Sequence, residues 1–319
     1  MNKSSSAFVI VSVVLLVFCP DVGAAPNQDV MEQGRRDSLD IATIERLVGI
    51  SGTEHNGEYK ITVPQNDLNV AVDGFRIIPP MGMGSWAAFT PATEGAVVMG
   101  DIVVKEDEIG PVQKVLIEHG LTITGLHNHF VREKPGVMYM HIGGVGPEAE
   151  LARGVRAVFD RVAGLRGGDP ARAEARPVAN TLDTTRIAGI LGHSGEMSRG
   201  VYKVTIGRPD VTLTAHGVRV STFMGFNTWA AWQGTPEDAA VAGDFAVLGD
   251  EMAPVIQALV ENGIQVVAVH SHMVHEEPRV FFLHYWGTGS AEALARGLKV
   301  ALDRTGILQR DDTATLPSP

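Results

Sequence analysis

Three histidines recur in this chain twice, at one fixed spacing. His127, His129 and His141 reappear further along, in the same register, as His270, His272 and His284. Three convergent imidazoles with a position left open form the ligand set of a catalytic metal site. Zn²⁺ is the first expectation for each triad, and Fe, Ni, Cu and Mn are also compatible with imidazole. The single cysteine rules out a multi-cysteine site within one chain. Glu133 and Glu276 follow the second histidine of their sets by four residues, giving HxHxxxE. Each is read as a fourth ligand or as a general base for water activation, against a solvated turn carboxylate.

Such a site needs elements that point three rings at one place. Two histidines two apart on a strand leave the same face. Pro135 lies six residues from both His129 and His141, and Pro278 six from His272 and His284. A hairpin centred on that proline sets the third histidine opposite the second, with Cβ atoms about 4.5–5.5 Å apart. A half-residue shift of the turn centre would send it to the other face. The first strand of each hairpin is expected at 121–126 and 264–269, after helices at 111–118 and 254–261 stopped by Gly120 and Gly263. Leu151, Val155, Val158 and Phe159 fall at helical spacing after the hairpin, and 201–206 and 211–214 read as strands.

The histidines belong to a longer repetition. At the offset that carries His127 onto His270, 74–160 matches 217–303 at 34 of 87 positions without a gap. Gly100-Asp101 falls on Gly243-Asp244, and the match reaches back more weakly to Tyr59-Lys60 and Tyr202-Lys203. Two long units make a tandem duplication and not a solenoid. The expected fold class is α+β: two tandem homologous repeats, each a mainly antiparallel sheet with flanking helices. Repeat 1 is placed at 40–160, a Gly, Ala, Arg and Pro-rich linker at 161–182, repeat 2 at 183–308 and a flexible tail at 309–319. Asp101 and Asp244 read as turn residues after glycine. Glu108 and Glu251 read as charges at helix N-termini. Trp86 and Trp229 read as core, with a pocket wall as the second reading.

Composition excludes several function classes. The net charge of −11 argues against a nucleic-acid partner and against docking on anionic lipid. Lys3, the apolar run 7–18 and the small residues at 22–25 fit a signal peptide, expected at 1–24, so no transmembrane span is expected after cleavage. The protein is therefore expected to be exported, periplasmic or secreted. Phe18-Cys19-Pro20 departs from a lipobox and argues against a lipid anchor at Cys19. No Ser-His-Asp nucleophile elbow or phosphate loop is present.

The whole repeat, with GxxxWAA[FW], GD, H[NS]H, a proline and a later histidine, resembles the LppY/LpqO family, a bacterial group built on a domain of unknown function. Gly125-Leu126-His127-Asn128-His129-Phe130 followed by His141 is similar to the zinc motif of the α-acetolactate decarboxylase-like superfamily. That similarity implies zinc on His127, His129 and His141 and on His270, His272 and His284. HxHxxxE also matches part of a cupin's first motif, but the second cupin motif, PxGxxH, is absent. The reading is an exported metal-binding protein, a metal-dependent hydrolase or a decarboxylase-like lyase acting on a small molecule. The alternative is a non-catalytic protein that binds metal or a cell-envelope ligand.

Overall fold

The computed structural model describes residues 38–169, 172–174 and 176–308. The expected signal peptide and C-terminal tail lie outside the described residues. Repeat 1 contributes β1 (Thr53–His55), β2 (Glu58–Pro64), β3 (Gly84–Ala92), β4 (Gly95–Lys105), β5 (Thr122–His127) and β6 (Val137–Gly146). Repeat 2 contributes β7 (Glu196–Ser198), β8 (Val201–Gly207), β9 (Asn227–Gly234), β10 (Ala239–Leu248), β11 (Gln265–His270) and β12 (Val280–Gly289). The strand orders are equivalent, β1-β2-β3-β4-β6-β5 and β7-β8-β9-β10-β12-β11, and every pairing is antiparallel. The fold is thus two tandem repeats, each a mainly antiparallel sheet with flanking helices.

Helices α1 (Ile41–Val48), α2 (Ile109–Glu118) and α3 (Glu148–Arg166) cover the outer face of the first sheet. Helices α4 (Thr184–Leu191), α5 (Gly249–Glu261) and α6 (Ala291–Leu302) do the same for the second. Outward side chains such as Ile61, Phe89, Val98 and Ile142 pack under the first set of helices. The inner faces pack on each other: Val103, Phe130 and Tyr139 of repeat 1 share a core with Ala231, Ala242 and Trp286 of repeat 2. Central strands are therefore covered on both sides, and β4 is buried from Ala96 to Val104 without alternation. An inner-face polar residue on such a strand is sealed between two sheets.

Helix starts differ from the sequence expectation. α5 begins at Gly249, so Pro254 lies inside it. Glu251 anchors that start by accepting the Leu248 N–H at 2.8 Å, and Glu108 accepts the Lys105 N–H in the same way. Both carboxylates also carry an arginine: Arg166 on Glu108 and Arg208 on Glu251, each at 2.8 Å. Of the strand expected at 211–214, only Thr214 is extended, in a two-residue strand with Ala215. α3 continues six residues into the segment read as linker.

Candidate metal centre

The hairpin register differs from the proline-centred expectation. His127 pairs with Tyr139 and Gly125 with His141, which centres the turn near Glu133, two residues earlier than Pro135. The second repeat pairs His270 with Phe282 and Ala268 with His284. A two-residue displacement preserves side-chain parity, so the third histidine still shares the face of the first. β5 and β11 end at His127 and His270, and His129 and His272 follow just beyond them. A cross-strand row runs along each inner face: Thr62, Trp86, Asp101 and His141 in one, Thr205, Trp229, Asp244 and His284 in the other.

Because the inner faces meet, the two triads form one cluster. His127 stacks on His270 with ring centroids 3.6 Å apart. His129 lies 3.8 Å from His284, and the reciprocal pair His141 and His272 4.1 Å apart. Ligand atoms close enough to share one ion mix the repeats: His127, His129 and His284 form one group, and His127, His141 and His270 another. A third group joins Asp244 to His270 and His284. The hairpins are tied at the backbone, Thr124 Oγ1 donating to the His272 carbonyl at 2.7 Å and Ser271 Oγ to the Thr124 carbonyl at 2.8 Å. Gly125 permits this approach, since a Cβ there would lie 2.6 Å from the Ser271 carbonyl oxygen.

The electrostatics fit a cation. All six histidines are held below the ordinary imidazole pKa, first by burial; His127 is pushed down to about 4. Burial pushes the Asp101 carboxyl up to about 8 and raises Asp244 as well. Asp244 lies 3.3 Å from His272 Nε2, and Asp101 3.7 Å from His129 Nε2. Nδ1 of His141 and of His284 donates to the carbonyl of Gly100 (3.2 Å) and Gly243 (3.0 Å), which leaves the Nε2 lone pairs free. Every one of the six rings has a buried nitrogen without a hydrogen-bond partner, and so has one oxygen of Asp101 and of Asp244. Buried polar atoms left unpaired are costly, and a divalent ion would satisfy neutral imidazoles and buried carboxylates together.

A cavity of about 240 Å³ opens onto this cluster, reaching His129, His141, His272, His284, Asp101 and Asp244. Its other walls are Lys60, Lys203, Trp86 and Trp229 with Thr62, Asn227 and the glycines Gly82 and Gly225. Glu133 and Glu276 are absent from these walls. Glu276 is buried beside Arg279, 2.9 Å away, and Glu133 is half-buried in its turn. The carboxylates at the cluster are Asp101 and Asp244, read from sequence as turn residues and each paired across the sheet with a retained histidine; their signal was retention in both copies. His275 is exposed, with the ring of His216 as its neighbour at 6.3 Å, and Arg132 in the equivalent position pairs with Asp73.

None of the curated proteins matches the chain. Among solved structures it is similar to EtuB from Clostridium kluyveri, at 9% identity and a TM-score of 0.19 over 80% of this chain and 89% of that one. It is also similar to the trimeric bacterial microcompartment shell protein PduB, at 10% identity and a TM-score of 0.21 over 83% and 93% of the two chains. The model of one family matches residues 42–161 and again 185–304, and the chain belongs to that family, the Domain of Unknown Function (DUF1259), as a tandem pair.

Proposed function

We propose that the two repeats jointly hold a divalent transition metal, zinc first, and that the chain is a metal-dependent hydrolase or lyase of a small molecule. The observation that carries this reading is the set of unpartnered ring nitrogens and carboxylate oxygens gathered between the sheets. His127, His129, His141, His270, His272 and His284 are the imidazole donors, with Asp101 and Asp244 as the carboxylates in reach. A bound divalent ion would supply Lewis acidity to a carbonyl or to water. Asp101 lines the cavity beside the histidines, and burial raises the proton affinity of its carboxyl in the metal-free protein, so it is the carboxyl placed to hold or release a proton there. In this proposal it takes the acid–base role that spacing alone gave to Glu133 and Glu276. The cavity volume, about 240 Å³, suits a small-molecule guest. The signal-like N-terminus and the LppY/LpqO resemblance support placing this activity outside the cytoplasm.

The test is metal content by plasma mass spectrometry on the full chain after reconstitution with Zn²⁺, beside a His129→Ala/His272→Ala double variant. The expected result is at least one equivalent per chain in the parent and loss in the variant. A metal-free parent, or an unchanged double variant, would overturn the reading.

A further inference from the structure

The metal ligands leave two cavity residues unexplained. Lys60 on β2 and Lys203 on β8 occupy equivalent inner-face positions and line the same cavity. Each ammonium lies over the indole of its own repeat, Lys60 4.0 Å from the Trp86 ring centroid and Lys203 4.1 Å from that of Trp229. Neither has a carboxylate within ion-pair distance among the described residues. Lys60 Nζ donates one hydrogen bond, to the Phe223 carbonyl at 2.9 Å, which leaves two donors unused. The Lys203 ammonium makes no hydrogen bond among the described residues.

The surroundings hold these two groups in place. The Trp86 indole reaches across to Gly225 of the other repeat, and Trp229 reaches reciprocally to Gly82, where a Cβ would stand 3.1 Å from the ring in each case. The lysine–tryptophan pairs are therefore fixed by both repeats. Between the copies β2 and β8 exchange their outward residues, Ile61 for Val204 and Val63 for Ile206, yet Lys60 and Thr62 reappear unchanged as Lys203 and Thr205. The indole faces and the carboxylates that act on the lysines, Glu58 and Asp101 on Lys60 and Asp244 on Lys203, offset only part of the cost of burying each ammonium, and an anionic guest would offset more. Burial lowers both lysines to about 8, and Lys203 adds to the lowering at Lys60.

We infer that the cavity takes a small molecule bearing an oxyanion, carboxylate or phosphate, held by Lys203 and Lys60 beside the metal ligands. This rests on the metal-centre reading for what lies beneath the anion, and not for the anion contact itself. The available volume, about 240 Å³, suits a guest the size of a small organic acid or phosphate ester.

The experiment is calorimetric titration of the Zn²⁺-reconstituted full chain with acetate, succinate and inorganic phosphate, with metal content measured on the same samples. The parent is expected to bind at least one of these probes. Lys203→Met is expected to weaken that binding at least tenfold and Lys60→Met/Lys203→Met to abolish it, with metal content unchanged. Lys203→Arg, which keeps the charge, should retain most of it and controls for folding. Preference for acetate or succinate identifies a carboxylate guest, and preference for phosphate a phosphoryl one. Binding that is unchanged in the double methionine variant, or no binding of any probe by a metal-loaded parent, would overturn the inference while leaving the metal centre standing. A parent without metal would instead defeat the metal reading.

Discussion

His127 of the first repeat and His270 of the second stand ring to ring, 3.6 Å between centroids, although they lie a whole repeat apart in the chain. Equivalent residues of the two copies thus meet at the middle of the molecule, and each belongs to ligand groups that include the other copy's side chains. Two independent sites would lose half the metal when either residue is removed. A shared centre loses more, so His127→Ala and His270→Ala should each bring metal content below half that of the parent. Retention of half by mass spectrometry would restore the picture of one site per repeat.

Carboxylates at the cluster and carboxylates in the turns should behave differently. Asp244→Asn is expected to lower metal affinity by about 10–100-fold, the usual range for polar groups that orient or supplement ligands. Glu276→Gln, at a carboxylate that does not line the cavity and pairs with Arg279, should leave affinity unchanged. Competition with a chelator of known affinity separates the two, and equal effects would contradict the assignment.

The metal-free protein should be most stable near pH 6–7. Imidazoles held below 6.5 in the fold bind protons more readily when unfolded, so their contribution is lost as pH falls below that value. For His127 alone the loss runs from 6.5 down to about 4 and is worth about 3 kcal/mol. The Asp101 carboxyl has the opposite sign: raised to about 8, it contributes stability below about 4 that disappears as pH climbs to about 8. Six imidazoles outweigh two carboxyls on the acid side, and only the carboxyls act between 6.5 and 8. Denaturant midpoints of chelator-treated protein from pH 4 to 8 check this shape. A curve rising steadily to pH 8 would be inconsistent with it.

Two glycines offer a contrast of sign. A Cβ at Gly243 would run into the Trp229 carbonyl and the Tyr285 hydroxyl, so Gly243→Ala should destabilise by about 1–3 kcal/mol. Gly164 lies in α3 with nothing near its missing Cβ, and Gly164→Ala should stabilise by about 0.5–1 kcal/mol. Thermal unfolding of both variants beside the parent tests the pair.

The duplication, the antiparallel sheets and the shared face of His127 and His141 were legible because they rest on periodicity and parity. The turn centre was not: proline symmetry suggested Pro135, whereas a bulge between Ile123 and Gly125 and the pairing of His127 with Tyr139 set the register. A linear pattern is the same whether two copies stand apart or face each other, so the meeting of His129 with His284 could not be read. Asp101 follows a glycine and resembled a turn residue, yet it sits mid-strand in β4 opposite Trp86 and His141. Burial of that strand on both faces, a tertiary effect, turns an ordinary aspartate into a group at the cluster.

Among the described residues the hydrogen bond from Lys60 to the Phe223 carbonyl has no counterpart at Lys203, and Asn227 stands where the first copy has Gly84. Two identical subunits would offer a guest indistinguishable ends, and it would lie in either direction equally often. One continuous polypeptide removes that degeneracy. Its two halves can drift apart, giving the pocket a head and a tail and with them one fixed direction for a guest whose ends differ.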